Sequence, residues 1–307
     1  VVFLQKLHQT DMLSHFNGGD GMKIGIIGAG RAGCSIGKYI TVNSDLDTLT
    51  GFYNRSHQKA VEAADFCNTT AFDTLEELVS ASNTLFITVN DSQIKNVWDC
   101  IDKNSLENKI ICHFSGSISS DVFADAESYG AYVGSVHPVY AFNNRFDSYK
   151  NMNGIVFTIE GHPIFLDKIS ELFSYNGNRV CFINKNKKPL YHAAASMASN
   201  HLLGLLNMSV EILQECGFSK KEAYRFLKPL MLSNLNNAFD TDVESALTGP
   251  IERGDLDTVI HHLEVLDDHQ RAIYKALGLE ILDIAQRKNY NKADVQKYSQ
   301  VKKELLK

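Results

Sequence analysis

The feature that most constrains the fold of this chain lies at residues 23–40, where KIGIIG (23–28) runs into GAGRAG (28–33) and then into CSIGKYI (34–40). A β-rich run, a glycine turn and a helix-compatible run in that order open an α/β layer, and the glycines stand at the G-x-G-x-x-G spacing of a dinucleotide cradle. Gly28 permits the tight turn, Gly30 lets the backbone approach a diphosphate, and Gly33 lets helix and strand pack closely. The start of the helix adds amide donors and the positive end of its dipole. Gly28, Ala29, Gly30, Arg31, Ala32 and Gly33 are therefore expected to touch the nucleotide.

The second strand decides which nucleotide. About 20 residues past the motif an NAD-binding chain presents an acid to the ribose 2′-hydroxyl. Here the strand at 49–54 is followed by Asn54, Arg55 and Ser56. Without an acid to repel it, a 2′-phosphate can pair with Arg55, so NADPH is the expected cofactor. Val89, Asn90 and Asp91, past the strand at 84–89, complete the expected nucleotide contacts.

The cradle opens a longer alternation. Candidate strands at 23–28, 49–54, 84–89, 109–114, 131–136, 154–159 and 178–183 are separated by helix-compatible segments, and their near-continuous apolar character points to a largely parallel sheet covered on both faces. From Lys188 onward no convincing strand remains. The division expected is an extension over 1–21 that is disordered ahead of Met22, a nucleotide-binding domain over 22–184, and an all-α domain over 185–307 for substrate binding and dimerisation. A helix is expected from Pro189 to Glu215, ended by Gly217, then one capped by Ser219 with Glu222, then helices over 256–265 and 267–289 and a charged tail.

Composition excludes several functions. With 30 Lys plus Arg against 36 Asp plus Glu, a formal charge of -6 gives no footprint for nucleic acid or an anionic membrane. The apolar runs are strand-sized, and residues 1–21 lack the apolar core of a signal peptide. Six scattered cysteines without CxxC pairs fit a reducing cytoplasm. His261 and His262 are adjacent and have no carboxylate or thiol at ligand spacing, so no metal is expected.

In an open α/β sheet ligands bind past the carboxyl ends of the strands, where this chain carries TVND (88–91), HFSG (113–116) and SVHP (135–138). Ser115 and His137 are the substrate-binding candidates there. Together with GAGRAG, GSVHP (134–138), YHAAASMASN (191–200) and ALTGPIERGD (246–255), these motifs resemble bacterial Rossmann-type oxidoreductases whose C-terminal domain was long catalogued as of unknown function. Those proteins are relatives of ketopantoate reductase, pyrroline-5-carboxylate reductase and the deazaflavin-dependent NADP reductases, and some serve as alternative 2-dehydropantoate 2-reductases. The resemblance covers Met22 to Arg287 and departs at Asn90, where the family usually has Pro.

Lys188, His192, Ser196 and Asn200 recur every fourth residue through a stretch rich in Ala, Leu and Met, which keeps them on one slowly winding helix face. The resemblance implies that such a face meets the nicotinamide, although His192 stands where the relatives' spacing puts Asn. The activity implied is NADPH-dependent reduction of a small 2-oxo acid, 2-dehydropantoate first among them. Lys188 is the first candidate for general acid and His192 the second, Ser196 and Asn200 orient the carbonyl, and Arg253 in GPIERGD grips the substrate carboxylate. A cyclic-imine reductase and a non-catalytic NADP sensor are the alternatives. The leucines at 202, 205, 206, 230, 232 and 235 offer apolar surface for a homodimer.

Overall fold

The computed structural model describes residues 21–174, 177–289 and 295–307, so the extension expected at 1–21 falls outside the described residues except for Gly21. The chain divides into two compact units at Met197/Ala198.

The first unit is built on eight strands, β1 (Lys23–Ile27), β2 (Thr48–Tyr53), β3 (Thr70–Ala71), β4 (Thr84–Ile87), β5 (Ile110–His113), β6 (Tyr132–Pro138), β7 (Val156–Gly161) and β8 (Arg179–Phe182). They lie in the order β3-β2-β1-β4-β5-β6-β7-β8. Each expected strand is present, and β3, two residues long, is an edge piece too short to leave a periodic signal. Helices α1 (Arg31–Asn43), α2 (His57–Cys67), α3 (Leu75–Ala81), α4 (Asp91–Cys100), α5 (Pro163–Phe173) and α6 (Lys188–Ser196) complete the unit.

Burial explains the apolar strands. Along β4, Leu85 and Ile87 enter one core with Trp98 and Ile111, while Phe86 enters the other with Ile26, Phe52 and Phe157. Leu85, Phe86 and Ile87 are all wholly buried. Each such side chain contributes about 1.5–3 kcal/mol, and a strand covered on both faces has no polar alternation to display. All pairings are parallel except β6 with β7. No helix crosses between those two. The chain passes from Pro138 to Val156 through a loop whose 3-10 turn, Ser148–Asn151, contacts α1, and an antiparallel neighbour needs no crossover helix. The reversal sets Ser135 opposite Glu160 and His137 opposite Thr158.

The second unit holds α7 (Leu202–Glu215), α8 (Lys220–Asp240), α9 (Val243–Ala246), α10 (Pro250–Arg253), α11 (Leu256–Val265), α12 (Asp268–Lys288) and α13 (Val295–Leu306). Ser219 and Glu222 form the expected capping box. The single helix expected over 189–215 is interrupted by a π-helical turn, Met197–His201. Asn200 lies inside that turn and is exposed. The charged tail is α13, which buries Tyr298, Val301 and Leu305 beside Ile251, Val259 and Leu282. Of the leucines expected at a dimer interface, Leu206 packs on the core of Val210, Ala223 and Leu227, whereas Leu230 and Leu232 are exposed. Among the described residues no helix is long and apolar enough to cross a membrane.

Although the sequence pattern changes at 184, α6 belongs to the first unit. Its first residue, Lys188, has no exposed surface and bonds to β6 and to the loop after β5.

Candidate active site

Two assemblies stand at the carboxyl ends of the parallel strands. The first is made mostly of backbone. Gly28 has φ +110, its amide donates to Tyr53 O at 2.8 Å, and its carbonyl accepts from Thr88 Oγ1 at 2.7 Å. A side chain on Gly33 would put Cβ 2.2 Å from Gly28 O and 2.5 Å from Thr88 Oγ1, so helix and turn touch there. Gly30 is different: its φ is -81, and a Cβ would meet nothing within 4 Å. The fold itself does not demand glycine at that position.

A cavity of about 380 Å³ opens over this turn. Of the expected nucleotide contacts, Gly28, Gly30, Asn54, Arg55, Ser56, Val89 and Asn90 line it, joined by Tyr53, Lys59, Thr88 and Gln93. Arg55 and Lys59 are its cations, and none of its lining residues is acidic. Helices α1, α2 and α4 begin here at Gly30, Ser56 and Asn90 with no side-chain cap among the described residues, whereas α3 and α5 are capped by Thr74 and His162. Uncapped first turns leave amide donors for a ligand.

The remaining expected contacts have other settings. The Ala29 amide donates to Asn54 Oδ1 at 3.2 Å, which ties the glycine turn to the loop after β2. Ala32 packs on the core, and Arg31 is exposed on the first turn of α1 outside the cavity lining. Asp91 turns away to accept from Ser115 Oγ at 2.7 Å and Ser117 Oγ at 3.0 Å. Lys59 and Thr88 were not among the expected contacts. Thr88 begins TVND, and Lys59 stands four residues past Arg55, in the first turn of α2.

The second assembly is made of side chains from β5, β6, β7 and α6. Ser115, expected to meet substrate, instead organises the loop after β5: Oγ donates to Asp91 and accepts from the amides of Ser117 and Ile118 at 3.1 and 3.0 Å. Buried His113 supports the same loop, Nδ1 accepting from the Ser115 amide and Nε2 donating to Ser119 O. Burial pushes its imidazole down to about 4, so it is neutral.

His137 occupies the next rung of β6 after Ser135. Thr158 Oγ1 donates to Tyr191 Oη at 3.0 Å, and Tyr191 Oη lies 2.7 Å from His137 Nδ1. With Tyr191 donating to Nδ1, the His137 proton is carried on Nε2. Burial, with the charges of His192 and Lys188 beside it, pushes His137 down to about 4. Nε2 faces Gly116, as does Nδ1 of His192: a Cβ on Gly116 would lie 2.8 Å from the former and 2.4 Å from the latter. The His192 Nδ1 atom is buried and has no hydrogen-bond partner among the described residues.

Lys188 closes the assembly from below. Nζ donates to Ser115 O at 3.1 Å and Ser135 Oγ at 2.6 Å, and burial lowers its basicity against the opposing pull of Glu160 and Asp91. Lys188, His192, His137 and Ser115 are thus brought together in the first unit, with half-buried Ser196 one helical turn beyond His192 on α6. Asn200, exposed in the π-helical turn, and Arg253, exposed at the end of α10, belong to the second unit. Sequence reasoning passed over Tyr191, Ser135, Glu160 and Gly116, whose roles depend on the β6–β7 pairing and on a close approach that spacing does not display.

Comparison with known proteins agrees with this architecture. A Rossmann-like domain matches residues 11–138, and the family model described as a domain of unknown function, DUF2520, matches residues 155–281. Protein TM1727 from Thermotoga maritima is similar over 87% of this chain and 99% of its own, at 23% identity and a TM-score of 0.66. An imine reductase from Pseudomonas sp. is similar over 88% of each chain, at 14% identity and 0.57. A Plasmodium falciparum pyrroline carboxylate reductase with NADP bound is similar over 92% of this chain and 100% of its own, at 11% and 0.56. At such identities the likeness is one of fold. No curated protein matches the chain. The two models match successive stretches of the chain, in the order its motifs suggested.

Proposed function

We propose that this chain is an NADPH-dependent reductase of a small 2-oxo acid, with 2-dehydropantoate as substrate. The observation that carries the reading is the pairing, along one sheet edge, of an uncapped glycine cradle lined by Arg55 and Lys59 with a closed cluster of neutral and cationic side chains around Gly116. The cradle fits the cofactor. Gly30 leaves backbone room for a diphosphate, and Arg55 and Lys59 suit a 2′-phosphate. When bound, NADPH supplies the hydride that a carbonyl or imine carbon takes up.

The chain's own residues handle the oxygen and the proton. His137, kept neutral and holding its proton on Nε2, donates a hydrogen bond to a carbonyl oxygen as negative charge grows on it. His192, next to it with an uncommitted Nδ1, delivers the proton. Lys188 supplies positive charge from behind the Ser115 loop, because its sealed ammonium has no surface with which to touch a ligand. That burial also favours a second reading, reduction of a cyclic imine, whose nitrogen arrives protonated and needs no strong acid.

Loss of NADPH absorbance with 2-dehydropantoate, a panel of other 2-oxo acids and pyrroline-5-carboxylate tests the assignment. Turnover of 2-dehydropantoate, lost about a hundredfold or more in His192→Ala, is expected. Turnover of the imine alone would transfer the assignment to the second reading, and tight NADPH binding without any turnover would make the chain a sensor.

The exposed Leu230 and Leu232 support a homodimer, which light scattering measures directly.

A further inference from the structure

Glu160 has no part in the reaction just described, yet it is the most enclosed carboxylate of the described residues, 5% exposed in the middle of β7. Its oxygens only accept. Oε1 receives the Ser120 amide at 2.8 Å and Ser135 Oγ at 2.7 Å, and Oε2 receives Ser120 Oγ at 2.7 Å. Ser135 has one hydroxyl proton, given to Glu160, so its oxygen is free to accept from Lys188 Nζ at 2.6 Å. The antiparallel register makes this linkage possible, since Ser135 and Glu160 face each other across β6 and β7. On its other side Glu160 borders a second cavity of about 600 Å³, whose lining includes Ser120, Asp121, His162 and Lys185.

We propose that Glu160 is a positioning residue that sets the ionisation of Lys188 through the Ser135 hydroxyl and gives the sealed lysine a proton route to the second cavity. Transfer along the route moves one proton and no electrons. A Lys188 N–H proton passes to Ser135 Oγ while the Ser135 O–H proton passes to Glu160 Oε1, turning ammonium and carboxylate into amine and carboxylic acid. The alternative, a buried ammonium with no nearby anion, is too costly to persist, and the lysine would become neutral. Other groups face Lys188 as well: Asp91 from α4, His113 from β5, His137 from β6 and His192 one turn along α6. Of the two carboxylates, Asp91 and Glu160, only Glu160 is joined to Nζ by a single intervening hydroxyl.

The importance of Lys188 for turnover rests on the reductase reading, but the proposal can be tested without turnover. The side-chain ¹³Cε resonance of Lys188, assigned by its disappearance in Lys188→Met, reports protonation of Nζ directly. Glu160→Gln is expected to lower the titration midpoint by about one pH unit or more, a tenfold change in acid dissociation constant. Glu127→Gln, on the lining of the same second cavity but without a bond to Ser135, is expected to leave it unchanged. If Glu160→Gln does not fold, Ser135→Ala keeps both charges, removes the linking hydroxyl and should also lower the midpoint. An unmoved midpoint in the folded Glu160 or Ser135 variant, or an equal shift in Glu127→Gln, overturns the proposal whatever the chain reduces.

Discussion

The two assemblies at the strand ends differ in what they are made of. The glycine cradle is backbone with exposed cations at its rim, whereas the cluster around Gly116 is made of side chains locked together by burial and hydrogen bonds. A backbone site depends on residues a few positions apart, and its stability and its binding can be altered separately. A side-chain cluster drawn from β5, β6, β7 and α6 has its chemistry tied to its stability, because each functional group is also a packing group.

That contrast is broken or sharpened first by acid. His113 and His137 titrate near 4 in the folded chain against 6.5 for an ordinary imidazole, so the unfolded chain takes up protons first as pH falls. The stability they contribute is complete above about 6.5 and drains away down to about 4, to a loss of up to about 3 kcal/mol for each histidine. Urea denaturation midpoints at pH 7 and pH 4.5 should differ accordingly, and a flat profile would mean that the cluster is not closed around neutral imidazoles.

Next in size come the glycines. Gly33→Ala forces a Cβ against Gly28 O and should cost about 1–3 kcal/mol, read from the same denaturation curves. Gly30→Ala meets no atom of the described residues, so the midpoint should stay within about 0.5 kcal/mol while affinity for NADPH falls. Loss of stability in Gly30→Ala, or unchanged affinity, would erase the distinction between a scaffold glycine and a ligand glycine. The smallest effect expected is at the rim. Arg55→Ala and Lys59→Ala should each weaken NADPH by about tenfold, roughly 1.4 kcal/mol, and leave NADH unchanged.

The same difference explains how much could be read in advance. The cradle was legible because strand, turn and helix are contiguous over 23–40, and Arg55 follows at a distance set by one βαβ repeat. Lys188 and His192 were legible as a pair because four-residue spacing survives within α6. What the sequence hid was long-range. Neither periodicity nor composition tells that β7 runs against β6, and so Ser135 and Glu160 had no visible reason to meet. Ser115 looked like a ligand group because nothing local reveals that Asp91, 24 residues earlier, takes its hydroxyl. The π-helical turn at 197–201 likewise left no mark in the sequence, because it changes the backbone hydrogen-bond pattern and not the spacing of residue types. The last helix was a different kind of oversight, since Tyr298, Val301 and Leu305 do recur at helical spacing within the charged tail.

Isothermal titration calorimetry with NADPH and NADH tests the nucleotide cradle most directly. Saturable binding of NADPH, about tenfold or more tighter than NADH and weakened in Gly30→Ala, is the result expected of an uncapped glycine turn flanked by Arg55 and Lys59. Absence of heat with either dinucleotide would contradict it, and the reductase reading with it.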